Sequence, residues 1–231
     1  MKLYDAIIKE TDEVLGAARR LPERTAWPDP GTSELVMQRD AAFELGGSGK
    51  PSVNYTCVTT AALAGGGGVF LLGKDLPELK GDTAFARIVI LQTEEISEDD
   101  EGHDMIRAME FVRYHVFPTG YMVRVSSTSF EEQVRVSRDA VKKGISFAAV
   151  GADYLTKYRA VKGVLDAKII FVTEEAAVSA LKPNAKKVDD ITKTLSHILD
   201  GLPTDCGHCS LKKVCDEVEG MREMHMGRKK G

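Results

Sequence analysis

Ala84-Phe85-Ala86-Arg87-Ile88-Val89-Ile90-Leu91 is the stretch that decides the fold. Its last four residues form an unbroken apolar run, the pattern of a strand buried on both faces rather than one with a wet side. Such a strand needs layers above and below it, and the flanking sequence supplies candidates. Downstream, Ser97 is placed to cap a helix whose first turn carries Glu98, Asp99, Asp100 and Glu101, where the helix dipole favours negative charge. Ile106, Met109 and Val112 carry its periodicity, and Pro118 lies beyond its end. Strands are predicted over 121–126 and 133–136. Ser137 caps a short helix over 138–143, stopped by Gly144. A strand over 147–150, a helix over 152–161, a strand over 168–173 and two helices, 174–181 and 185–199, follow, the last pair separated by Pro183. Upstream, Ala41–Leu45, 52–60 and 69–72 read as strands. Residues 3–20 read as an amphipathic helix that stops before Pro22, most simply packed on its own domain. Trp27-Pro28-Asp29-Pro30-Gly31 follows as a stiff connection. Strands alternating with helices imply an α/β fold: a mixed, largely parallel sheet with flanking helices, ending in a cysteine-rich helical tail. The divisions are 1–31 for the N-terminal helix and linker, 32–200 for the α/β domain and 201–231 for the tail.

Composition narrows the function. The chain has 231 residues, enough for a core that needs neither metal nor disulfide to fold. A net charge of −4 argues against a general nucleic-acid binder, which needs a basic face to displace counterions. No long uncharged apolar run and no leader pattern is seen, so a soluble, cytoplasmic protein without a membrane span is expected. Lys50 in Gly46-Gly47-Ser48-Gly49-Lys50-Pro51 suggests a phosphate-binding loop, but Glu44 stands where its first glycine belongs and Pro51 where Ser or Thr is required. A turn between strands is expected there. Gly65-Gly66-Gly67-Gly68 lacks the dinucleotide spacing and reads as a loop. The acidic run 94–104 lacks calcium-loop spacing, and His103, His115 and His197 read as structural or surface residues.

The chemistry-bearing signal is Cys206-Gly207-His208-Cys209 followed by Cys215. Two cysteines separated by two residues turn both sulfurs toward one centre, and Cys215 adds a third. Iron–sulfur clusters use thiolates grouped in this way, and zinc accepts the same pair. A thioredoxin-type redox pair would open a helix after a strand, which is not the context here. A four-ligand site leaves one position open. Cys57 is the leading candidate for it; His208, His225, a partner's side chain or a small molecule are the others.

One further set of residues resembles a known family. From about 42 to 178 the chain is similar to the middle domain of acetyl-CoA synthase, the beta subunit of the carbon monoxide dehydrogenase/acetyl-CoA synthase complex. Val134-Arg135-Val136-Ser137-Arg138-Asp139-Ala140-Val141-Lys142-Lys143-Gly144 is close to that family's strand-to-helix signature. Phe43-Glu44-Leu45-Gly46-Gly47, Gly73-Lys74-Asp75-Leu76 and Ile169-Ile170-Phe171-Val172-Thr173-Glu174-Glu175-Ala176 match in the same order. The resemblance implies an anaerobic one-carbon or acyl-CoA setting and a cluster, 4Fe-4S by analogy, held by Cys206, Cys209 and Cys215 with Cys57. Nickel is not expected, because the family's Cys-Gly-Cys element does not occur here and the tail has three cysteines where the family has four. Arg124, which aligns with the family's coenzyme A-associated tryptophan, together with Arg135 and Arg138, is a candidate to meet an anionic ligand such as a coenzyme A thioester. Three functions follow as expectations. The first is an iron–sulfur electron-transfer or accessory subunit with a protein partner or a second copy of itself. The others are a zinc-stabilised protein-binding module and a coenzyme A thioester-binding enzyme.

Overall fold

The structure, a computed structural model, describes residues 3–96, 100–125 and 130–199, without the side chains of 100, 101, 103, 125 and 195–199. The expected cap at Ser97 and the whole of 201–231 lie outside the described residues. In chain order the elements are α1 (Asp5–Val14), β1 (Arg19–Arg20), β2 (Ala41–Leu45), β3 (Ser52–Thr59), β4 (Gly68–Leu72), β5 (Phe85–Thr93), α2 (Asp100–Tyr114), β6 (Tyr121–Val125), β7 (Glu132–Ser137), α3 (Arg138–Lys142), α4 (Phe147–Arg159), β8 (Val164–Val172) and α5 (Glu175–Leu199).

The opening stretch becomes β5, and Ile88, Val89, Ile90 and Leu91 are all within 1% of complete burial. It lies next to the edge in a five-stranded sheet of order β1-β4-β8-β5-β3. One face packs on α1 and α5 through Ile88, Ile90, Ile170, Ile7, Leu181 and Val188. The other packs on α2, α4 and a second, three-stranded antiparallel sheet, β2-β7-β6, through Val89, Leu91, Phe171, Phe147, Val134 and Val136. The main sheet is mixed, as expected, but parallel and antiparallel pairings alternate rather than parallel ones prevailing. β3 with β5 and β4 with β8 are parallel, whereas β8 with β5 and β1 with β4 are antiparallel. The long excursion between β5 and β8 builds the second sheet and returns to its starting point, pairing Thr93 with Val164. β8 must therefore run back along β5.

Three elements differ from expectation for identifiable reasons. The predicted strand over 147–150 is the first turn of α4: Ser146 accepts a hydrogen bond from the Ala149 amide at 3.3 Å, and the apolar residues form the buried face of a helix. A short apolar run cannot by itself distinguish the two. Gly151 does not interrupt α4, because it lets the helix lie directly on β4. A Cβ there would fall 2.6 Å from both Val69 methyl carbons. Gly151→Ala is accordingly expected to cost about 1–3 kcal/mol by overpacking, read from urea midpoints; an unchanged midpoint would show that α4 can step back freely. The two helices expected around Pro183 are one, α5. Proline in a helix interior costs roughly 3 kcal/mol, but Val178, Leu181, Ala185, Val188 and Ile191 continue the buried stripe across it, and Asn184 donates to the Thr11 hydroxyl at 3.4 Å.

Several local readings hold. Ser137 accepts from the Ala140 amide at 3.0 Å and starts α3 directly off β7. α1, shorter than the expected 3–20, packs on the sheet and α5. Among the described residues no helix is long and apolar enough to cross a membrane.

Candidate functional site

Cys206, Cys209 and Cys215, with His208 and His225, lie outside the described residues. What the structure places is the start of their segment, seven residues before Cys206, where α5 ends at Leu199. Cys57 sits on β3 opposite Ile90, with no exposed surface, in the apolar layer beneath α1 and α5. Burial pushes its thiol pKa well up, disfavouring the thiolate that a metal requires. To join a cluster it would need the helical layer above it to open.

Arg124 and Arg135 share the outer face of the second sheet. β6 and β7 pair Met122 with Arg135 and Arg124 with Gln133, so the two arginines are diagonal neighbours. Arg135 is engaged: its Nε donates to Glu44 Oε1 at 2.5 Å across the β2–β7 pairing. Arg138, on α3, donates to the Arg39 carbonyl at 2.9 Å. Arg124 is exposed. A cleft of about 430 Å³ opens beside the β7–α3 junction, lined by Trp27, Glu34, Asp40, Ser137, Asp139 and Lys143 among others. Three carboxylates against one ammonium make it a poor receptor for a polyanion such as coenzyme A.

No family model matches the sequence, and no curated protein matches it significantly. The chain's chemistry must therefore be read from its own groups.

Two polar clusters were not anticipated from the sequence. The first joins the two sheets. Arg87 on β5 and Glu132 on β7 have side chains with no exposed surface. Arg87 Nε donates to Glu132 Oε1 and Oε2 at 3.0 and 3.1 Å, and its Nη2 donates to Oε2 at 2.5 Å. The guanidinium carbon lies 4.4 Å from the centre of the Tyr154 ring. Burial alone would lower the Arg87 pKa, but the Glu132 carboxylate outweighs it and holds the charge in place. A lone arginine inside an otherwise apolar strand was the available signal, since a fully buried charge demands a partner. The identity of that partner, 45 residues away, was not in the pattern.

The second cluster ties the Trp27–Gly31 connection to α4. Asp29 accepts from the Gly31 amide at 2.6 Å, the Phe117 amide at 2.9 Å and the Lys157 ammonium. Although burial works against it, these donors bring its pKa down to about 2. Asp153 lies beside it, its side chain 9% exposed, with Lys157 Nζ at 3.8 Å. Burial, together with the hydrogen bond it shares with Asp29, raises its pKa to about 7, against the opposing pull of Lys157. Asp153 is therefore the proton carrier of a carboxyl–carboxylate pair.

Proposed function

We propose that this chain is an iron–sulfur protein related to acetyl-CoA synthase, serving as an electron-transfer or accessory subunit in anaerobic one-carbon or acyl-CoA metabolism. The observation that carries the reading is the Cys206-x2-Cys209-x5-Cys215 spacing, directly after an α/β body. The matched motifs support it by doing framework work: Ser137 caps α3 at the strand-to-helix signature, and Asp75 accepts from both the Leu76 and Phe147 amides at 2.7 Å. The ligands proposed are those of the tail, on their spacing. Cys206, Cys209 and Cys215 supply three thiolates. For the fourth position we favour His208, His225, a partner's side chain or an exogenous ligand over the buried Cys57. When bound, a cluster supplies one-electron chemistry.

Protein purified without oxygen is expected to contain iron and acid-labile sulfide in equal amounts. Cys206→Ser and Cys209→Ser should each abolish or greatly reduce both, while Cys57→Ser leaves them unchanged. Stoichiometric zinc without sulfide would sink the cluster and favour the zinc-stabilised binding module. Loss of iron in Cys57→Ser, with the fold intact by circular dichroism, would restore the buried thiol as fourth ligand. A coenzyme A titration is expected to show no saturable signal, given the acidic cleft and the engaged Arg135 and Arg138.

A further inference from the structure

Around the Arg87–Glu132 pair, buried polar atoms lack any protein hydrogen-bond partner: Arg87 Nη1, Arg113 Nε, both side-chain atoms of Asn54, and the Tyr121 and Tyr154 hydroxyls. Asn54, Arg87, Arg113 and Tyr154 belong to one place. Asn54 and Arg87 are register partners on parallel strands, so their side chains leave the same face of the sheet. Arg113 Nη2 donates to the Asn54 carbonyl at 3.5 Å, and the Arg113 carbonyl accepts from Arg87 Nη2 at 3.4 Å. Tyr154 lies under the Arg87 guanidinium, its ring centre 4.4 Å from the guanidinium carbon. Asn54, Arg87 and Tyr154 have no exposed surface, and Tyr121 only 2%.

The inventory is lopsided. Arg87 Nη1 and Asn54 Nδ2 each present two N–H groups and Arg113 Nε presents one, whereas the side-chain Oδ1 of Asn54 is the sole group that can only accept. The phenols serve either way. Glu132 is already taken by Arg87, and the nearest carboxylate to Arg113 is Glu110, 3.7 Å away at a more exposed rim. Leaving such donors unmade in a low-dielectric interior is costly. The complement is a compact species that accepts on several sides and carries negative charge.

We propose that this shell between the two sheets binds a small planar oxyanion of the formate, nitrate or bicarbonate class. Arg87 Nη1, Arg113 Nε and the Asn54 amide donate to it, and the Tyr154 hydroxyl closes a further side. Entry is past Arg113, the one member of the shell with appreciable exposure, at the last turn of α2. The site is independent of the tail cysteines, so neither reading depends on the other.

The test is thermal unfolding of the full chain in sodium formate, nitrate and bicarbonate, each against sodium chloride at equal ionic strength. A saturable rise in melting temperature with at least one oxyanion is expected, without a matching rise in chloride. Asn54→Ala and Tyr154→Phe, the latter keeping the ring under Arg87, should each weaken the apparent affinity by about tenfold, the loss of one charge-assisted hydrogen bond. A crystal structure of the wild-type protein grown in formate or nitrate serves as the second measurement and decides the matter if a variant does not fold. The anion in the shell supports the proposal. Water alone there, an unsaturable response, or variants responding like wild type would overturn it.

Discussion

In chloride buffer free of small oxyanions, Glu132→Ala is expected to destabilise the protein by about 3–5 kcal/mol, because it removes the carboxylate partner of an Arg87 guanidinium that has no exposed surface. That is a large part of the stability of an ordinary domain, and urea unfolding should show the midpoint falling accordingly. The pair need not be strongly stabilising for this to hold. Removing both charges together is a different experiment, since the desolvation cost disappears with the attraction. Arg87→Met with Glu132→Leu should therefore recover most of the loss. If Glu132→Ala costs less than about 1 kcal/mol, water reaches the pair and the two sheets are not sealed around it. The location explains the leverage: Arg87 stands on the main sheet and Glu132 on the second, so one bidentate contact spans the interface on which the larger apolar layer is built.

Raising the pH through neutrality is the second large effect. Asp153 is protonated in the folded state up to about pH 7, but ionises near pH 4 once unfolded. Between these values unfolding releases a proton, so stability falls as pH rises and stays low above neutrality. Each unit of separation is about 1.4 kcal/mol, so a few kcal/mol is the upper scale. Asp29 works in the opposite sense: its lowered pKa adds stability that is fully present above about pH 4 and is lost as pH falls toward 2. The groups facing Asp153 are Asp29 from the Trp27–Gly31 connection, Lys157 from its own helix and Tyr154 beside it, with the His115 carbonyl accepting from Lys157 at 2.9 Å. Asp153→Asn mimics the protonated carboxyl. It should match wild type near pH 4 and below, exceed it from about pH 5 upward with the full gap above pH 7, and flatten the curve between. His115→Gln, which removes the neighbouring imidazole, is the control and should keep the wild-type slope. A wild-type curve that does not fall between about pH 5 and 8 relative to Asp153→Asn would refute the shared proton.

How much was legible beforehand depended on the range over which each feature is decided. β2 was read to its exact bounds because its alternation ends at Gly46, which adopts a φ of +64° and passes so close to the Glu132 carbonyl that a Cβ would lie 2.7 Å from it. α3 was legible because Ser137 and Gly144 mark its ends chemically. The boundary at 147–150 was not, because Phe147, Ala148, Ala149 and Val150 are equally apolar as strand or helix, and packing on Val69 and Phe171 makes the choice. Pro183 was read as a break from local chemistry alone, whereas α5 is held together by what lies beneath it. Of the proposed ligand arginines, Arg135 could not be known to be occupied, since Glu44 lies 91 residues away in sequence.

By itself, the sequence determined that residues 84–91 form a strand covered on both faces, that an α/β body precedes the tail, and that three cysteines stand at metal-ligand spacing. These depend on neighbours a few positions apart, where side-chain period, capping and turn chemistry act. Only the tertiary structure decided the alternating strand directions, the existence of the second sheet as a separate layer, the partner of Arg87 and the placing of Asp29 beside Asp153. Each of those arises when distant segments are brought together and a buried charge or an unpaired edge must be satisfied by whatever the closure places beside it.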